Sequence, residues 1–288
     1  MKISEILSKN RYSVSFEVFP PRRDAPMEPI LDTVKHLAGE KPSFISVTYG
    51  AGGGANANTV SLAEHVQKTC SVPALAHLTC LTSSREKIAA EIQALRKAGI
   101  ENILCLRGDD PDGGAHPGER DFAHAADLVR CLRPSNFCLG GACYPECHPE
   151  CEHLESDIGH LKAKVDAGLD FLTTQMFFDN NVYFRHLARL RNAGITIPVI
   201  AGIMPVTNGK QISRICKLSG TVLPPRFRAI VDRFGDDPEA MLSAGVAYAT
   251  EQIIDLFADG VGAVHVYTMN KPEVARRIMA NLKGVIGN

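Results

Sequence analysis

Along this chain, short apolar runs alternate with longer stretches of helical periodicity. The first run, Ser13 to Phe19, is rich in strand formers and stops at Pro20-Pro21. It predicts a strand with an abrupt end. In residues 27–38, Ile30, Leu31, Val34, Leu37 and Ala38 share one side and Gly39 supplies a stop. That is the spacing of an amphipathic helix. The alternation then repeats. Further strands are predicted at 44–49, 73–80, 102–106, 137–144, 171–178, 197–204 and 263–268. Helices are predicted from Asn58 or Thr59, over 88–98 behind a Ser83-Ser84-Arg85-Glu86 cap, and over 122–132, 157–168, 181–193 and 209–219. An inserted segment, 224–241, carries another helical pattern, followed by a long helix at 242–258 and a last one from Pro272.

Eight strand-then-helix rounds, with glycine at 39, 99, 168, 194, 220 and 260 ending helices, predict a parallel sheet closed into a (β/α)8 TIM barrel. An extra helix is expected between strands 7 and 8. The 288 residues suit one such domain spanning 1–288, since the architecture takes about 250 residues. An open doubly wound sheet is the weaker alternative, because no Gly-x-Gly-x-x-Gly follows an early strand.

Composition narrows the partners. With 31 basic against 32 acidic residues, the chain lacks the basic excess of a nucleic-acid or membrane binder. No apolar run approaches the roughly 18 residues of a membrane span, and Met1-Lys2-Ile3-Ser4-Glu5 opens no signal peptide. A cytoplasmic protein is expected. The nine cysteines then read as free thiols rather than a disulfide set.

In a barrel of this kind the chemistry lies at the C-terminal ends of the strands. Those ends carry Glu17, Thr48, His77 with Thr79, Arg107 with Asp109, Tyr144 with Glu146 and His148, Gln175, Pro205, and Tyr267 with Asn270. Each has a plain alternative. Glu17 could be a strand-end carboxylate paired with Arg22 or Arg23, His77 a core histidine, Asp109 a turn residue, and Tyr267 simple packing. Their convergence on one rim is what a purely structural barrel would not need. The chain has no Gly-x-Ser-x-Gly and no His-Glu-x-x-His. Carboxylates, an amide and hydrogen-bond donors around a deep pocket suit a flat heterocycle and acid–base chemistry by a carboxylate.

Several segments together resemble the bacterial methylenetetrahydrofolate reductases. They are Ser15-Phe16-Glu17-Val18-Phe19-Pro20-Pro21-Arg22, Ser46-Val47-Thr48-Tyr49-Gly50-Ala51, His77-Leu78-Thr79-Cys80, Leu106-Arg107-Gly108-Asp109, Tyr144-Pro145-Glu146-Cys147-His148-Pro149-Glu150, Lys164-Val165-Asp166-Ala167-Gly168, Thr174-Gln175-Met176-Phe177-Phe178-Asp179 and Gly202-Ile203-Met204-Pro205-Val206. The resemblance runs from about residue 11 to 271, in family order and spacing. It implies a barrel holding FAD and reducing 5,10-methylenetetrahydrofolate to 5-methyltetrahydrofolate, with NAD(P)H as electron donor. Glu17 falls on the family's general acid, which protonates N10 so that the ring opens to an iminium at N5. Its apolar neighbours favour the proton-carrying form. Asp109 falls on an aspartate beside flavin and pterin, where its charge would stabilise the iminium. Gln175 falls on a pterin-binding glutamine, and Tyr267 and Lys271 are further substrate-binding candidates. Flavin contacts carried over by position are Thr48, His77, Arg107, Gly108, Asp109, Ala142, Tyr144, His148, Asp157, His160 and Lys164, with Arg107 and Lys164 for ribityl or diphosphate oxygens.

The chain also departs from the family pattern. Gly209 follows Pro205-Val206-Thr207-Asn208 where the family often has an aromatic residue, so direct NADH use is in question. His124, His160, Ala163 and Lys271 stand where tyrosine, asparagine, arginine and arginine are usual. Cys143, Cys147 and Cys151, with His148 and His153 interleaved, match no standard metal spacing, and no metal is expected. Two rival functions follow: the same barrel reduced by a ferredoxin-linked partner protein, or a folate- or flavin-binding subunit without turnover. The chain is expected to work as a homo-oligomer or with a partner subunit.

Overall fold

A computed structural model describes residues 1–21, 25–49, 56–109 and 120–287. Arg22 and Arg23, offered as partners of Glu17, lie outside the described residues, as do Gly50 and Ala51 of the family-like segment. Eight parallel strands close into one barrel in sequence order. They are β1 (Ser13–Val18), β2 (Ile45–Val47), β3 (Ala74–Thr79), β4 (Asn102–Leu106), β5 (Cys138–Cys143), β6 (Phe171–Thr174), β7 (Val199–Ile203) and β8 (Ala263–Val266). The ring closes where β1 pairs with β8, Ser13 opposite Ala263 and Phe16 opposite Val266.

The helices are α1 (Ile3–Lys9), α2 (Glu28–Gly39), α3 (Asn56–Glu64), α4 (Arg85–Ala98), α5 (Ala125–Leu132), α6 (Leu154–Asp166), α7 (Asn180–Asn192), α8 (Gly209–Ser219), α9 (Pro225–Phe234), α10 (Pro238–Ala258) and α11 (Pro272–Ile286). Among the described residues none is long and apolar enough to cross a membrane. The Ser84 cap is present, its side chain accepting the Lys87 N–H.

Several expected boundaries shift. The sixth strand ends at Thr174 rather than 178, because Gln175 to Phe178 leave the sheet toward the rim. The long helix starts at Pro238, with Asp237 capping the Glu239 and Ala240 amides; the expected division at 241 falls inside it. The insertion after β7 therefore holds two separate helices, α8 and α9. Gly39 lies within α2, and the left-handed residue comes later, at Lys41.

Every residue of β1 is buried, because a parallel barrel strand has helices on one side and the packed interior on the other. Alternate positions point inward. The lower interior is apolar: Phe44, Leu75, Leu104, Cys138, Phe171, Ile200 and Ala263 pack with Ile3 and Ile6 of α1. So α1, which the hydropathy pattern did not predict, seals the N-terminal end of the barrel. Asn102 holds it there, accepting the Ile3 N–H at 2.8 Å and donating to the Ala74 carbonyl at 3.1 Å.

Candidate active site

Two residues further along four of the strands, the inward positions become polar, at Ser46, His77, Thr173 and His265, and the rim residues follow. They meet in a cavity of about 940 Å³ at the C-terminal end of the barrel, lined by Glu17, Thr48, His77, Arg107, Gly108, Asp109, Ala142, Tyr144, His148, Lys164, Gln175 and Tyr267 among others. These are twelve of the candidates the sequence picked out, drawn together from several separate strands and loops.

Glu17 stands on the wall of this cavity with its side chain 10% exposed. Its carboxylate lies 3.7 Å from His77 Nε2 and 3.9 Å from His265 Nε2. Those separations allow electrostatic contact but are too long for hydrogen bonds. His77 Nε2 is buried without a hydrogen-bond partner among the described residues. Burial pushes the His77 pKa down to about 4, against the opposing pull of Glu17. His77 is therefore neutral near pH 7. The Glu17 backbone is held as well, its carbonyl accepting from Thr268 Oγ1 at 2.7 Å.

His265 was not among the sequence candidates. Its Nδ1 lies 2.8 Å from Ser15 Oγ and its Nε2 3.0 Å from Ser46 Oγ. The Ser15 hydroxyl donates to the Val264 carbonyl at 3.1 Å. Ser15, Ser46 and His265 each precede a candidate rim residue (Glu17, Thr48, Tyr267) by two positions. The strand period was the signal that could have found them.

Tyr267 donates to the Thr174 carbonyl at 2.6 Å. Burial, with Glu17 nearby, raises its pKa well above the usual phenol value. Gly202 makes room for it: a Cβ there would meet the Thr174 carbonyl oxygen at 2.3 Å and the Tyr267 hydroxyl at 2.7 Å. Gln175 anchors its amide oxygen on the Met176 N–H at 2.9 Å.

Across the cavity, Arg107 grips Glu150 with two hydrogen bonds, of 2.6 and 2.5 Å. That pairing raises the guanidinium pKa further. Lys164 is buried and donates to the Ala142 carbonyl at 2.5 Å; burial lowers its pKa. His148 packs edge-on against Tyr144 at 4.5 Å. Its backbone N–H donates to Asp157 at 3.1 Å, which places Asp157 behind the lining rather than in it.

Two candidates stand apart. His160 is exposed on α6 and does not line the cavity. Lys271 is exposed and donates to Thr207 Oγ1 at 2.7 Å. His124 caps α5, its backbone N–H donating to Asp127 at 3.0 Å. Gly209 does not face an open surface: a Cβ there would meet the Gly235 Cα at 2.5 Å. Among the described residues no group of three or more His, Cys, Asp and Glu is placed to hold a metal. The Cys143 thiol donates to the Thr173 carbonyl and the Cys147 thiol to the Cys151 carbonyl.

The fold resembles solved barrels of low sequence identity. One is an uncharacterised protein from Clostridium thermocellum that binds two copies of 5-methyl-5,6,7,8-tetrahydrofolic acid (TM-score 0.69, 13% identity, 99% of both chains). Another is oxaloacetate acetylhydrolase (TM-score 0.55, 14% identity, 100% of this chain and 88% of the other). At such identity they speak for the fold alone. Sequence relatives are closer. Methylenetetrahydrofolate reductase (NADH) 1 of Arabidopsis thaliana is 34% identical over 295 residues, covering 98% of this chain and 50% of the relative. The 5,10-methylenetetrahydrofolate reductase of Pectobacterium carotovorum is 35% identical over 275 residues, covering 95% and 91%. That of Escherichia coli is 34% identical, covering 95% and 92%. The chain thus spans about half the plant relative and about nine-tenths of the bacterial ones. Residues 2–283 also match the family described as methylenetetrahydrofolate reductase, and on these grounds the chain belongs to the methylenetetrahydrofolate reductase family.

Proposed function

We propose that the protein reduces 5,10-methylenetetrahydrofolate to 5-methyltetrahydrofolate, with FAD as cofactor and NAD(P)H as electron donor. The observation that carries this is Glu17, a shielded carboxylate on the wall of a cavity that also holds Asp109, Gln175 and Tyr267. The cavity, about 940 Å³, lies at the upper end of the roughly 300–1,000 Å³ of small-molecule sites.

The residues fit a flavin. His77 Nε2 is a buried polar atom without a partner among the described residues, in the wall where a ligand would meet it. Gly108, in the left-handed region at φ 86°, brings backbone to the cavity where a Cβ would press on Thr79 at 3.0 Å. Thr48, His77, Arg107, Gly108, Ala142, Tyr144, His148 and Lys164 would hold the group, with Arg107 and Lys164 as its cationic contacts. The chemistry FAD supplies when bound is hydride donation to the one-carbon unit.

The chain's own residues supply the rest. Glu17 gives its proton to N10 of the folate, and the five-membered ring opens to a cationic iminium at N5. Asp109 stabilises that cation by charge, and Gln175 orients the pterin. His77, neutral behind Glu17, adds no competing positive charge. The apolar floor below the site, Leu75 and Leu104, helps keep water from the reacting atoms.

A Glu17→Gln variant should retain the visible flavin spectrum while folate turnover falls at least about 100-fold. Unchanged turnover would remove Glu17 from the acid role. A second reading concerns the electron source. Gly209 packs on Gly235, so α8 begins without an aromatic surface at that position. This favours reduction by a partner electron-transfer protein. Anaerobic mixing with NADH, NADPH or reduced ferredoxin, followed at the flavin band, separates the two; rapid bleaching by NADH alone removes the case for a partner.

A further inference from the structure

The loop between β5 and α6 carries Cys147 and Cys151, both partly exposed. Two turns shape it. The Cys147 N–H donates to the Tyr144 carbonyl at 3.2 Å and the Cys151 N–H to the His148 carbonyl at 2.8 Å. The chain thereby doubles back, and the side chain of Cys147 lies over residue 151. Its thiol is 3.6 Å from the Cys151 carbonyl oxygen, with the Cys151 thiol close beside it. The Cys151 thiol donates to the His153 carbonyl at 3.4 Å. Cys147 adopts this arrangement at φ 102°, a conformation that a residue with a side chain rarely takes. Cys143, at the same spacing one step earlier, is buried on the Thr173 carbonyl and takes no part.

The residues between the two thiols are His148-Pro149-Glu150, and all three line the cavity. Glu150 grips Arg107, and His148 packs on Tyr144. Whatever joins the two cysteines therefore acts on this part of the cavity wall.

We propose that Cys147 and Cys151 form a redox-sensitive dithiol, which a peroxide oxidises to an intramolecular disulfide. One thiolate attacks the O–O bond, becomes a sulfenic acid and releases the first water once protons are counted. The second sulfur then attacks the first, the S–S bond forms and a second water leaves. The pair gives up two electrons and two protons, and hydrogen peroxide becomes two waters. Burial pushes the Cys147 thiol up, which makes it the second to react and Cys151 the first. An S–S bond of about 2.05 Å draws the ends of His148-Pro149-Glu150 together and shifts Glu150 on Arg107. The bridge rests on the thiols alone, while its effect on FAD rests on the flavin reading above.

The test treats the full-length protein with stoichiometric hydrogen peroxide, blocks remaining thiols, denatures and counts. Free thiols should fall from nine to seven, the two lost being Cys147 and Cys151. Peptide mass mapping should place the bridge between them, and dithiothreitol should restore all nine. In Cys147→Ser the reaction should stop at a sulfenic acid on Cys151, captured by dimedone. Cys151→Ser should keep its FAD Kd and lose the response to peroxide. The bridged wild type should bind FAD about fivefold more weakly, the worth of one hydrogen bond, measured by flavin fluorescence. Nine thiols remaining, a bridge between other cysteines or between two chains, or no dimedone adduct overturns the dithiol. A bridge that leaves the FAD Kd unchanged overturns its action on the cavity. A bridge in a protein that binds no FAD in either form upholds the dithiol and removes the flavin reading.

Discussion

At the scale of single residues, two histidines lie where water barely reaches. His77 and His186 are both buried, and burial brings each pKa down to about 4 from an ordinary 6.5. The unfolded chain therefore takes up protons as pH falls through 6.5, while the native state refuses them until about 4. Stability is fully present above 6.5 and is lost between 6.5 and 4, by roughly 3 kcal/mol per histidine. His186 lies outside the cavity lining, and neither ring nitrogen has a hydrogen-bond partner among the described residues. A His186→Leu variant should flatten the fall in urea-midpoint stability between pH 7 and 5; an unchanged slope would show that His186 does not contribute to it. Gly202 is a different case, a matter of space. Gly202→Ala would push a methyl into the Thr174 carbonyl and the Tyr267 ring. It should cost about 1–3 kcal/mol by overpacking, read as a lower Tm, and should disturb the Tyr267 hydrogen bond. Glu17 was visible in the sequence because a carboxylate between Phe16 and Val18 is unusual. Its neighbours His77 and His265 come from distant strands, so their approach was not visible.

At the scale of elements, the strand-end rule located much of the cavity lining. Strands predicted from apolar runs ended where polar residues began, and most of those residues line the cavity, Glu146, Pro205 and Asn270 excepted. The exceptions have physical causes. Seven-residue α1 is too short for periodicity to declare it, and its stability comes from burying Ile3 and Ile6 against the barrel floor. Ile6→Ala should therefore cost about 2–5 kcal/mol, measured by chemical denaturation, although it sits at the chain's edge. A cost below 0.5 kcal/mol would mean α1 is not part of the packed core. His160 lies away from the cavity because a helix turns about 100° per residue, and likeness by position carries no orientation. Gly209 was read as a missing aromatic surface. In the fold it is also the contact that lets α8 and α9 approach.

For the molecule as a whole, the nine thiols are free, with Cys80, Cys105, Cys138 and Cys143 buried and the other five partly exposed. Burial pushes the Cys80 and Cys143 thiols up to about 12, which removes the reactive thiolate. A thiol reagent on the native protein should titrate at most the five accessible groups, and all nine after denaturation. Rapid native reaction of all nine would mean the barrel opens readily. This pattern agrees with the expectation of free thiols. The near-neutral total charge, from which no nucleic-acid footprint is expected, cannot report where charge collects, as on α8, where Lys210, Arg214 and Lys217 are all exposed.

The sequence by itself determined the eight rounds of strand and helix, most strand ends and the carboxylate at Glu17. These depend on local period and on residues within one or two turns. Only the tertiary structure decided how the ring closes, with β1 against β8, and that α1 seals its lower end. It alone brought Glu17 within 4 Å of His77 and His265 and set Gly209 on Gly235. Contacts between residues 26 to 250 positions apart leave no period in the chain. They arise when the sheet closes and the inward positions of separate strands meet.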